Sequence, residues 1–250
     1  MADQAIQPQS MSEIGRLTGV IWEPRPVFED LAAHPRWWVP IILLTILSVA
    51  YLATFSQRVG WETYIGQQFD KQAQSNPRMS QMTPAQRQQA MAVSVAAAKY
   101  LGFAGGVLGV ALGVLVTAAI MLGLMNWLGG AGVSFRQAFS VTSYAFLPSA
   151  ISSILALVVM LLKNPEDFDL QNPLPANLGA FLSPQDTPKW LHGLASSFDL
   201  FSFWLMLLLA LGFSVASGKR LTFGKAFILI LVPWALYVLI FKVALAGLQG

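Results

Sequence analysis

The chain has 250 residues, 55% of them hydrophobic and 11% charged, against about 25% charged in an ordinary soluble domain. It contains no cysteine, which excludes disulfides, thiolate nucleophiles and cysteine-ligated metals. Its net charge of +3 is carried at the ends of apolar runs and not in a basic stripe with aromatics, which argues against nucleic acid as a partner.

Residues 1–10 are Gln-rich and are predicted to be a disordered tail. Residues 11–36 read as amphipathic interfacial helices. In the first of them, Ile14, Leu17, Val20 and Ile21 share one helical face while Glu13 and Arg16 lie elsewhere, as suits a helix resting on a membrane surface. Trp22-Glu-Pro-Arg-Pro26 breaks that helix. Pro26 can open a second one, with Val27, Phe28 and Leu31 as its apolar side. No short apolar core with a cleavage site precedes this region, so the first span is expected to serve as an uncleaved targeting signal.

Residues 37–250 form the membrane domain, with five apolar runs at about 37–55, 97–128, 139–162, 200–216 and 226–246. Each is near the roughly 17–25 residues a helix needs to span hydrocarbon, and unpaired backbone is not tolerated in lipid, so the spans must be helices. The expected fold is therefore all-α: a five-transmembrane-helix bundle with an N-terminal amphipathic helix at the interface. Trp37 and Trp38, with Arg36, are placed at the membrane edge before the first span. The polar connection 57–95 contains Thr83-Pro-Ala-Gln86, a capping box that starts a helix running unbroken into the second span. That span carries Gly102, Gly105, Gly106, Gly109 and Gly113. The four-residue spacing of Gly105, Gly109 and Gly113 predicts close approach of a second helix, within the bundle or in a second copy.

Gly129-Gly-Ala-Gly132 reads as a tight turn, and Ser134-Phe-Arg-Gln137 as the capping box of the third helix, which Pro148 should kink. In the proline-rich loop after it, 177–182 is predicted to form one helical turn. Asp199 starts the fourth helix, Thr222 caps the fifth, and Pro233 kinks that last span. Lys219 and Arg220 mark the short basic turn between the two at the membrane interface. Together with Arg16, Arg25, Arg36, Arg136 and Lys225, and against the acidic loop holding Glu166, Asp167, Asp169 and Asp186, they predict a cytoplasmic N-terminus.

The candidates for chemistry are few. His34 and His192 have no metal-binding spacing, and nucleophile-elbow and P-loop motifs are missing from the sequence. Asp199 has no second acid in another span with which to share a proton. No enzyme activity, cofactor or metal is expected. Asp199 is readable as a first-turn acid facing a helix dipole or as an ion or proton site. Tyr144 and Asn126 can hydrogen-bond between helices. The primary expectation is a non-enzymatic protein that organises membrane partners or lipids. The alternative is a small transporter or channel subunit using Asp199 and the helix breaks at Pro148 and Pro233.

Several motifs, in order, resemble the Yip-domain family (Ypt/Rab-interacting proteins) in its bacterial branch. They are Gly15-Arg-Leu-Thr-Gly-Val-Ile-Trp-Glu-Pro24, Pro35-Arg-Trp-Trp-Val-Pro40, Gly129-Gly130 with Ser134-Phe-Arg-Gln137, Ser143-Tyr-Ala-Phe-Leu-Pro148, and Phe198-Asp-Leu-Phe-Ser-Phe-Trp204 followed by Gly212 and Lys225-Ala226. Tyr144, Pro148, Asp199 and Trp204 match the pattern. The resemblance implies a five-helix membrane domain with a cytoplasmic tail, here in a bacterial inner membrane. Its eukaryotic members are associated with small GTPases and vesicle traffic, and no residue here matches a GTPase-binding motif. The partners expected are the bilayer and other membrane proteins or a second copy.

Overall fold

The computed structural model describes residues 10–76, 79, 81–168, 170, 172–183 and 186–244. The expected disordered tail, apart from Ser10, and the last two residues of the expected fifth span lie outside this set. Among the described residues the chain is helical, and its β-contact is one isolated bridge between Asn177 and Asp199. The helices are α1 (Glu13–Trp22), α2 (Pro24–Ala33), α3 (Trp38–Arg58), α4 (Trp61–Ser75), α5 (Pro84–Gly123), α6 (Phe135–Ala145), α7 (Pro148–Leu162), α8 (Lys189–Ser197), α9 (Leu200–Ala216) and α10 (Phe223–Tyr237). Two π-helical stretches, Leu124–Leu128 and Val238–Ala244, continue α5 and α10.

Among the described residues, four helical stretches are long and apolar enough to cross a membrane: Trp38–Arg58, Pro84–Leu128, Phe135–Leu162 and Phe223–Ala244. The remaining expected span, the fourth, is the apolar helix Leu200–Ala216, which has 17 residues. At about 1.5 Å per residue it is roughly 25 Å long, short of a hydrocarbon core of about 30 Å.

Local chemistry explains where these elements begin and end. Glu23 precedes Pro24, and a residue before proline is driven out of helical conformation. It sits at φ −134° and ψ 67°, which separates α1 from α2. The second helix thus opens at Pro24, two residues earlier than the expected start at Pro26. Thr83 and Gln86 exchange hydrogen bonds at the start of α5, and Ser134 and Gln137 do the same at α6. Pro148 breaks its helix outright: α6 ends at Ala145 and α7 restarts with proline in its first turn, where its missing N–H is harmless. Pro233 is accommodated inside α10. Within the polar connection, α4 occupies a segment the sequence reading left without a helix.

The chain divides into two compact units. The first comprises residues up to Ile42, Gly113–Ser149 and the stretch from Pro175 onward. At its centre lies α9, packed by α2, α6 and α10. Val27, Phe28 and Leu31 of α2 are fully buried, Val27 against Gly19 of α1. Gly212 is the point of closest approach, since a β-carbon there would overlap both Val141 of α6 and Phe28 of α2.

The second unit, Leu43–Leu112 and Ala150–Leu174, has its own core of Phe55, Val59, Trp61, Met160 and Phe168. The Trp61 indole stands edge-on to Phe55, with ring centroids 5.0 Å apart, and lies against Gly102. Gly106, one turn on, faces Leu52 and Ser48.

Within the chain, close approach along α5 falls on other glycines than the stripe of 105, 109 and 113. Positions 102 and 106 make the close contacts, whereas β-carbons at Gly105, Gly109 and Gly113 would meet nothing within 4 Å. Adjacent residues are about 100° apart around a helix, so the two sets face different directions. Gly102→Leu should lower the thermal midpoint by the equivalent of about 1–3 kcal/mol of overpacking, while Gly109→Leu should leave it unchanged. A thermal melt of both variants in detergent checks this.

Candidate functional site: a buried ion network under the N-terminal helix

Along α1, Glu13, Arg16 and Val20 follow at the three- and four-residue spacing that places side chains on one face. That face is turned onto the first unit. Arg16 and Val20 are fully buried, while Ile14 and Trp22 on the far side are 75% and 82% exposed. The sequence pattern sets the apolar face of α1 on the membrane surface and the charges elsewhere. In the structure the charges face the protein.

Arg16 is the hub. Its Nε donates to Asp30 Oδ2 of α2 at 2.6 Å, and its Nη1 donates to Glu13 Oε1 at 3.1 Å. Asp30 Oδ1 accepts from the Met11 backbone N–H at 3.1 Å and lies 3.3 Å from His34 Nδ1. Glu13 is shared in turn: its Oε1 accepts from Arg36 Nη1 at 2.9 Å and its Oε2 from the Tyr144 hydroxyl at 2.8 Å. Beside the network, Gln137 Nε2 donates to the carbonyl of Ala32 at 2.9 Å, fastening the end of α2 to the start of α6.

Two carboxylates thus face two guanidiniums. Burial disfavours the charged form of Arg16, but the hydrogen bond and charge of Asp30, with the charge of Glu13, outweigh it and hold the guanidinium above the ordinary arginine range. One donor, Arg16 Nη2, has no partner among the described residues.

The sequence-derived candidates fall into separate places. Tyr144 and Arg36 converge on Glu13, so Arg36 serves the network and not only the membrane edge. Trp37 packs on Phe139 with centroids 5.0 Å apart, and Trp38 is about half exposed. Asp199 caps α9, accepting from the Ser202 N–H at 2.8 Å and its hydroxyl at 3.1 Å. That occupies the carboxylate structurally and lends no support to a flux pathway. Trp204 is half-buried in α9, Pro148 is buried and Pro233 exposed. Lys219 adopts φ +73°, and the Arg220 guanidinium lies against Gly132. Lys225 Nζ donates to Gly129 O at 3.1 Å, tying the basic turn to the glycine turn. Asn126 holds the same region by bonding both the N–H and the carbonyl of Val133.

Glu13, Arg16 and Asp30 were not singled out as site residues from sequence. The available signal was the placement of Glu13 and Arg16 on the same side of α1 as Val20.

Hydrogen bonds to charged groups contribute about 1.5–3 kcal/mol. Tyr144→Phe should therefore lower stability by about that amount in a reversible denaturation assay, and should do so far less in a Glu13→Gln background.

The model of the Yip1 domain family matches residues 18–245. No curated protein and no solved structure shows significant similarity to the chain. This family is not one of enzymes. With nearly the whole chain matched and its apolar helices in place, the protein belongs to the Yip1 domain family and is an integral membrane protein.

Proposed function

We propose that this protein is a non-enzymatic membrane organiser that uses its N-terminal helix as a recognition element for other membrane proteins. The carrying observation is the polarity of α1. Its charged face is consumed in the ion network, and its apolar residues Ile14 and Trp22 are presented outward. A helix held this way is available to a partner or to the edge of the bilayer without leaving its own bundle.

In this reading the membrane is the bacterial inner membrane and the N-terminus is cytoplasmic. Support comes from Arg25, Arg136, Lys219, Arg220 and Lys225, which lie in short segments next to apolar helices. A small GTPase is a partner by distant family analogy alone.

The test is in-cell photo-crosslinking with the reactive residue placed at position 14, 22 or, as a control on exposed charged surface, 29. The expected outcome is one membrane protein captured from positions 14 and 22 and not from 29. Equal capture from all three, or lipid adducts alone from 14 and 22, would contradict the organising role.

A further inference from the structure

Between α4 and the start of α5, within the second unit, lies a cleft of about 630 Å³. Small-molecule sites commonly measure about 300–1,000 Å³. Its floor is a single stripe of α5, in which Arg87, Gln88, Met91, Ala92 and Val95 succeed one another at helical spacing, with Glu62 of α4 on the opposite wall. The wall of α4 is low at Gly66, where a β-carbon would meet only the Met91 methyl, at 3.6 Å. Methionine is the side chain best able to adapt its shape to an occupant.

The charges in the cleft are unequal. Arg87 is paired with Asp70 of α4. The Glu62 side chain has no hydrogen bond or ion pair among the described residues. It stands in the first turn of α4, where the helix dipole supplies about half a positive charge. The carboxylate is solvent-exposed and stands beside the apolar floor.

From this pairing of an apolar cleft with one carboxylate that has no partner among the described residues, we propose that the α4–α5 cleft binds a monovalent organic cation with an apolar body. The charge would sit at Glu62 and the apolar body along Met91, Ala92 and Val95. The proposal is independent of the organising role, since it involves neither α1 nor the ion network.

The probe is radiolabelled tetraphenylphosphonium, titrated against the full chain in phosphatidylcholine nanodiscs, with tetraphenylborate as the anion of matching shape. Saturable binding of the cation and none of the anion is expected. Glu62→Gln should weaken cation binding at least tenfold, and Ala92→Trp, which fills the floor, should abolish it. Thermal melts check that both variants are folded, and Glu62→Gln alone decides the charge claim if Ala92→Trp is not. Equal binding of the two ions, an unchanged affinity in Glu62→Gln, or a co-purified phospholipid that is lost in Ala92→Trp and competes with the cation would overturn the proposal.

Discussion

A fully buried arginine governs the arrangement of the first unit. Taking a guanidinium out of water costs several kcal/mol unless its donors are met by good acceptors. Arg16 meets that requirement with Asp30 on the neighbouring helix and Glu13 on its own. Neither carboxylate acts alone. Glu13 is steadied by Arg36 and Tyr144, and Asp30 by the Met11 N–H and His34. The consequence is directional. The α1 helix must turn its charged face inward, and Ile14 and Trp22 are left outside. A buried ion pair adds little net stability compared with an apolar core, yet breaking one is strongly destabilising. The network therefore acts by specifying one docking geometry.

The rest of the first unit makes that docking possible. Phe28 of α2 packs at Gly212 of α9, and the absence of a side chain there lets α2, α6 and α9 come together. The break after Ala145, forced by Pro148, ends α6 one residue beyond Tyr144. Gln137 anchors the other end of α6 to α2 through the Ala32 carbonyl. The N-terminal segment is thus part of the folded unit, joined by apolar packing through α2 and by charge through α1.

Much of this was legible from residue types and spacing. The run 200–216 located its helix to the residue, and the Thr83, Ser134, Asp199 and Thr222 caps marked helix starts, because each cap satisfies backbone N–H groups that have no other partner. The orientation of faces was not legible. In a soluble protein the apolar side of a helix points inward. In a membrane protein the surroundings are as apolar as the core, so the stripe of Ile14, Leu17 and Ile21 does not say which way α1 turns. The same degeneracy hides which glycines pack within the chain: Gly102 and Gly106 face packed side chains and Gly105 and Gly109 do not, although both sets keep the same spacing. The α4 helix was missed because it is polar on the whole and reads as part of the polar connection, although its apolar residues do gather on one helical face.

The central claim is that the Arg16 network, and not membrane adsorption, holds α1 against its unit. Hydrogen–deuterium exchange on the full chain in nanodiscs, with and without Arg16→Met, tests it most directly. Loss of amide protection confined to α1 and the start of α2, with α9 and α10 unchanged, is the predicted result. Protection of α1 that survives the substitution would contradict the claim, because a helix held by lipid alone would not register the loss of a buried guanidinium.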